Sequence, residues 1–92
     1  MNKLIDKGTA ETSPHYNKLG KNQPIRVMLR ELTHEEFRGF LKGNVIKYTA
    51  RAGLKEGTDD AAKAKQYQKW LDEHDAFRCI SIGNRTYTKE SA

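Results

Sequence analysis

Between Thr33 and Lys55 the apolar and polar positions recur with the period of an α-helix. Wound at about 100° per residue, Phe37, Leu41, Val45, Tyr48 and Ala52 form an apolar stripe that needs a partner to bury it. Gly39, Gly43, Ile46 and Ala50 form a stripe of mostly small residues. Another backbone could approach there in a tight helix crossing, or Gly43 could clear room for a ligand beside Asn44 and Lys47. Asn44, Lys47 and Arg51, beside Phe40, make a polar and basic stripe along the edge of the apolar one. Thr33 and Glu36 stand at capping-box spacing and predict the helix start. Gly53 predicts its stop, because glycine readily takes the left-handed conformation past a last turn.

The flanking patterns complete a mainly α fold. Pro24 opens a short helix over 24–32, at a position where its missing amide does no harm. Ile25, Met28, Leu29 and Leu32 give that helix its apolar face. Beyond Gly53, Thr58 reads as a cap, with Asp59 and Asp60 in the first turn, where the helix dipole favours acids. The third helix then runs over about 58–75. Its inward face reads Asp60, Lys63, Ala64, Tyr67, Trp70, Leu71 and His74, and its outward face Lys65, Gln68, Lys69, Asp72 and Glu73. Two long helices with a short connection predict an antiparallel helix hairpin (about 33–53 and 58–75), which brings Asp60, Lys63 and Tyr67 towards Lys47 and Arg51. The tail changes to period two, and Gly83-Asn84 between Cys79–Ile82 and Arg85–Thr88 predicts a C-terminal β-hairpin. A lone hairpin is marginal, so it is expected to pack on the helices or pair with another subunit. Residues 1–13 show no periodicity and read as a flexible N-terminal arm, leaving 14–92 as a single domain.

Composition sharpens this picture. Only 36% of the residues are hydrophobic and 32% are charged, so a monomer's core is modest and a homo-oligomer is expected. One cysteine, Cys79, excludes a disulfide framework and fits a reducing cytosol. No apolar run approaches membrane-spanning length, so no membrane partner is expected. The formal charge is +5, and from Arg38 to Lys55 there are five basic residues and no acidic one. Such a patch favours a phosphate-bearing partner. Arg38 and Lys42 point away from the apolar stripe and read as solvated. Lys47 and Arg51 border buried surface, where a cation without a partner is costly. A phosphate would satisfy them, and so would a structural carboxylate such as Asp60.

Several chemistries find no support. Neither a Gly-x-x-x-x-Gly-Lys-Ser/Thr loop nor a dinucleotide fingerprint is present. His15, His34 and His74 are scattered, and no metal site is assigned to them. Cys79 has no histidine close in sequence, so it is not read as a nucleophile. Asp59 and Asp60 could hold magnesium on a nucleotide phosphate, although acids at a helix start are usually caps. No catalytic residue is assigned.

His15-Tyr16, Pro24-Ile25, the run from Gly43 to Gly53 (GNVIKYTARAG), Lys55, Asp60, Lys63-Ala64, Tyr67 and Leu71 follow one another in a distinctive order. That order resembles a family of small bacteriophage proteins of unknown function, some labelled nucleotide kinases. The resemblance covers roughly residues 14–72, and the GNVIKYTARAG run is its most specific part. It implies a phage origin, hence the cytoplasm of an infected bacterial host, an α-helical core and a nucleotide ligand. It points to His15, Tyr16, Asn44, Lys47, Arg51, Lys63 and Tyr67 as ligand-binding positions. The family tends to carry a Gly-Gly pair before Pro-Ile, where this chain has only Gly20 in a longer, more basic loop. Members with the kinase label can also be much longer.

Three functions compete. The first is capture of a nucleotide without turnover, in the manner of phage proteins that sequester host immune signals. In it Lys47 and Arg51 take phosphate, His15 or Tyr16 stacks on a base, and Asn44 reads a base edge or ribose; no cofactor is needed. The second is phosphoryl transfer to nucleoside monophosphates, which would require magnesium and ATP. The third, a nucleic-acid-binding module, is disfavoured because the five cations occupy different faces.

Overall fold

The computed structural model describes residues 20–54 and 59–92. The expected arm over 1–13, together with His15, Tyr16, Lys55 and Thr58, lies outside the described residues. After one 3-10 turn at Gly20–Asn22, α1 spans Pro24–Glu31, α2 His34–Arg51 and α3 Asp60–Phe77; β1 is Cys79–Ile82 and β2 Arg85–Thr88.

Pro24 sits in the first turn of α1, which buries Ile25 and Leu29. Its C-terminal carbonyls are satisfied from far along the chain. Lys89 Nζ donates to Arg30 O at 2.8 Å and to Leu32 O at 2.6 Å, placing a cation at the negative end of the helix dipole. Helix α2 opens with the expected capping box. The Glu36 amide donates to Thr33 Oγ1 at 3.1 Å, and the Thr33 amide donates to Glu36 Oε1 at 3.0 Å. It closes as expected, with Gly53 at φ +82°.

Helix α3 lies antiparallel to α2, because residues early in one meet residues late in the other. Arg38 donates to both oxygens of Asp75 through Nε at 2.8 Å and Nη2 at 3.2 Å. His34 Nδ1 lies 3.3 Å from His74 Nε2, and at the far end Arg51 Nε lies 3.3 Å from Asp60 Oδ2. The cap of α3 is Asp59, whose side chain makes no capping bond. Its last residue is Phe77, two beyond the expected Asp75, since Asp75 is anchored by Arg38 inside the final turn. Arg78 then takes the left-handed conformation at φ 56°.

The strands pair antiparallel in the register Cys79↔Thr88, Ile80↔Tyr87, Ser81↔Thr86 and Ile82↔Arg85. Gly83 turns the chain at φ +64°. The hairpin packs on α3. Trp70 Nε1 donates to Ser81 O at 2.6 Å, while the Ser81 amide and hydroxyl donate to the two oxygens of Glu73 at 2.8 and 2.6 Å. Glu73 is thereby half-buried rather than outward-facing. One core joins the three helices and β1: Ile25 and Leu29 of α1, Phe37 and Leu41 of α2, Trp70 and Leu71 of α3, and Ile80 of β1, with Tyr87 of β2 packed against it. Among the described residues no helix is long and apolar enough to cross a membrane.

Three readings need correction. The small-residue stripe makes no helix crossing among the described residues. Gly39, Gly43 and Ala50 are exposed, Ile46 is 62% exposed, and a Cβ at Gly39 or Gly43 would meet no described atom within 4 Å. Helix α3 packs on the bulkier Phe37–Leu41–Tyr48 side, which buries more apolar surface. Arg38 is not simply solvated but is held by Asp75. Of the scattered histidines, His34 and His74 meet, with His74 fully buried and in edge contact with Phe37. Burial, then the charges of Arg78 and His34, hold the His74 imidazole below its ordinary pKa.

Candidate phosphate-binding site at the α2–α3 turn

The last turns of α2 and the first turns of α3 bring together residues that the sequence separates. Tyr48 is the hub. Its ring stacks on Tyr67, with centroids 5.7 Å apart and planes 13° apart. Around the same ring stand Lys47 Nζ at 4.5 Å, Lys63 Nζ at 5.6 Å and Arg51 Cζ at 5.9 Å. Tyr67 in turn meets Phe40 and Trp70 edge to face, with centroids 6.0 and 5.4 Å away, which ties the hub to the core. Helical spacing explains the gathering. Lys47, Tyr48 and Arg51 lie within one turn of α2, and Lys63 and Tyr67 lie one turn apart on α3, at i and i+4.

Three cations converge on one aromatic ring, and one carboxylate, Asp60, stands beside Arg51. Cation–π attraction of about 0.5–1 kcal/mol per exposed contact only partly offsets the mutual repulsion of three such charges. The cluster carries three cations against Asp60 and Asp59, while the negative dipole end of α2 and the positive end of α3 meet at this turn and oppose each other. Lys47 and Arg51 are exposed and Lys63 is half-buried, so an anion from solvent can reach them. Asp60 is only 2% exposed.

The expected site residues are thus partly united. Lys47, Arg51, Lys63 and Tyr67 surround one ring, whereas His15 and Tyr16 lie outside the described residues. Asn44 is half-buried and donates Nδ2 to Phe40 O at 2.9 Å, so one of its amide hydrogens is already engaged within its own helix. The desolvation argument fails for Lys47 and Arg51, which are both exposed, and applies to Asp60 instead. Tyr48 was the residue missed. It reads as one more member of the apolar stripe, although its position between Lys47 and Arg51 marks the border where an amphipathic ring sits. Among the described residues no three His, Cys, Asp or Glu side chains gather where a metal ion could be held. Cys79 is half-buried, and burial, then Glu73, push its thiol pKa up, which disfavours the reactive thiolate.

The family described as a protein of unknown function (DUF3310) matches residues 10–69, well over half the chain and including the whole cluster. The chain belongs to that family. The gene 1.7 protein of Enterobacteria phage T3 is 39% identical over 64 residues, covering 65% of this chain and 39% of the phage T3 protein. The protein named nucleotide kinase gp1.7 of Escherichia phage T7 is 36% identical over 64 residues, covering 65% of this chain and 33% of its own length. The chain thus matches between a third and two fifths of the length of these curated relatives. No solved structure matches it.

Proposed function

We propose that this chain is a phage nucleotide-binding protein that captures its ligand by the phosphate, with Lys47, Arg51 and Lys63 as the cationic clamp around Tyr48. The observation that carries the reading is the convergence of those three cations on one aromatic ring at the protein surface. Phosphate is the anion such a set suits: a guanidinium fork with two ammonium groups around the same ring. A host immune signalling nucleotide is the finer form of the proposal.

Capture without turnover is favoured because the carboxylate inside the cluster, Asp60, is buried against Arg51 rather than presented to solvent. Phosphoryl transfer is the second reading, and two observations favour it. The phage T7 relative is named a nucleotide kinase, and Asp59 is exposed with its side chain making no capping bond. That reading would draw on magnesium and ATP. The nucleic-acid reading is weaker still, since Arg38 is committed to Asp75. The proposal includes self-association, supported by a chain that is only 36% hydrophobic. Sedimentation across protein concentrations tests this, and a monomer at every concentration removes it.

A denature-and-recover assay separates the two main readings. The protein is incubated with cyclic and linear nucleotides, with and without ATP and magnesium, and freed of unbound ligand; the released and solution fractions are then identified. An unmodified nucleotide that disappears from solution and returns on denaturation supports capture. A phosphorylated product formed only with ATP and magnesium supports transfer instead. Lys47→Ala and Arg51→Ala are each expected to weaken binding at least about tenfold with helicity retained. The Arg51 variant should also melt lower, because it removes the cation paired with a buried carboxylate. Normal binding by both variants refutes the site.

A further inference from the structure

Helices α2 and α3 are bridged by two arginine–aspartate pairs, and the two are built differently. At one end, Arg38 engages Asp75 through both Nε and Nη2, using both carboxylate oxygens, and the side chains are 42% and 40% exposed. That pair is closed on itself: fork and carboxylate satisfy each other. At the other end, Arg51 Nε and Asp60 Oδ2 lie 3.3 Å apart as an ion pair without the hydrogen bonds of the first pair, and the Arg51 Nη groups make no hydrogen bond among the described residues. The exposure is asymmetric as well. The Arg51 side chain is 46% exposed, whereas that of Asp60 is 2% exposed.

A carboxylate held so deeply cannot follow a ligand, and its burial is costly unless it stays paired. A cation grasped at Nε keeps its two Nη groups for a second, planar, bidentate partner. Phosphate is such a partner. We propose that Asp60 is a positioning residue for the ligand phosphate: it fixes the Arg51 guanidinium through Nε so that the Nη fork is presented to the anion before it arrives. The assignment rests on the phosphate-binding reading of this site and adds to it. A carboxylate beside an anion site would ordinarily oppose binding; here its orienting effect outweighs its repulsion.

The competing accounts are that Asp60 only closes the α2–α3 connection, or that it only competes with phosphate for Arg51. Calorimetric titration with inorganic pyrophosphate, a probe that needs no knowledge of the base, distinguishes them. Arg51→Ala is expected to weaken pyrophosphate binding about 10- to 100-fold, the range for charge-assisted hydrogen bonds. Asp60→Ala is expected to weaken it about tenfold, within the coupling measured between contacting residues. Placed on the Arg51→Ala background, Asp60→Ala should cause no further loss, since Asp60 acts through Arg51.

Asp60→Ala binding as tightly as wild type, or more tightly, overturns the assignment and makes Asp60 a competitor. An equal loss with and without Arg51 also overturns it and makes Asp60 structural. Circular dichroism of each variant reports folding. Should Asp60→Ala not fold, nitrogen-15 spectra of the wild-type Arg51 side chain decide. Pyrophosphate should slow rotation of the Nη groups and leave the Nε resonance in place; a shifted Nε resonance with freely rotating Nη groups overturns the proposal. The functional reading fails separately, if wild type takes pyrophosphate as described but captures nothing from the nucleotide panel.

Discussion

Gly39 and Gly43 lie in the interior of α2 with ordinary helical backbone, since positive φ among the described glycines is confined to Gly20, Gly53 and Gly83. A methyl group at either position would meet no described atom within 4 Å. The perturbation is the double substitution Gly39→Ala and Gly43→Ala. Each glycine in a helix interior costs about 0.8–1.0 kcal/mol relative to alanine. The sum of the two single effects is about 1.6–2 kcal/mol of stabilisation, with the single variants measured alongside because sites one turn apart can couple. For a domain of this size that corresponds to a rise in melting temperature of roughly 6–16 °C. Thermal melts by circular dichroism at low protein concentration, with urea titrations for the free-energy change, measure it. An unchanged or lower melting temperature would refute the reasoning. It would mean that something rests on this face in solution and that the glycines admit it. Sedimentation of both proteins would then show whether the occupant is a second copy.

Stability should depend on pH through His74. Its folded-state pKa is held below the ordinary 6.5, chiefly by burial, so the unfolded chain takes up the proton first as pH falls. Stability is then full above about pH 6.5 and declines as the pH is lowered below that value. Asp75, lowered chiefly by its hydrogen bond from Arg38, acts in the same direction but below its ordinary 3.8, so melts between pH 5 and 8 isolate the histidine. His74→Phe should flatten that slope, and a slope unchanged in the variant would exclude His74 as its source. Trp70→Phe removes the indole donor to Ser81 O and should cost about 1–3 kcal/mol. The urea midpoint should fall at constant slope and amide exchange in the β-hairpin should quicken; protection equal to wild type would show that this bond does not hold the hairpin down.

Much of the fold was legible because strong local signals agreed with tertiary demand. The Thr33–Glu36 box, Pro24, Gly53 and the Gly83-Asn84 turn each fix a backbone conformation with few alternatives, and each marks the boundary it promised. The helix hairpin followed from periodicity and a short connection. What periodicity did not supply was which partner covers which face. Gly39 and Gly43 suggested close approach, but a helix with two candidate faces packs on the one that buries larger side chains. Long-range pairs were likewise out of reach. Arg38 with Asp75 and His34 with His74 are 37 and 40 residues apart, and only the antiparallel register brings them together. Within the site, the cations could be named because their stripe is basic, and Tyr48 was missed because an aromatic at the border of an apolar stripe looks like core. Gln66, buried between the turns that carry Ala62 and Trp70, gave no signal at all.

The ammonium of Lys89 on the last carbonyls of α1 has a consequence for the order in which the protein comes into being. Arg30 and Lys89 are 59 residues apart, so α1 leaves the site of synthesis with its end unsealed. At roughly 5–20 residues per second, about 3–12 seconds pass before its seal has been made. During that interval the Arg30 and Leu32 carbonyls lack their ammonium donor. The bonds that complete the end of α1 are therefore among the last that the growing chain can make.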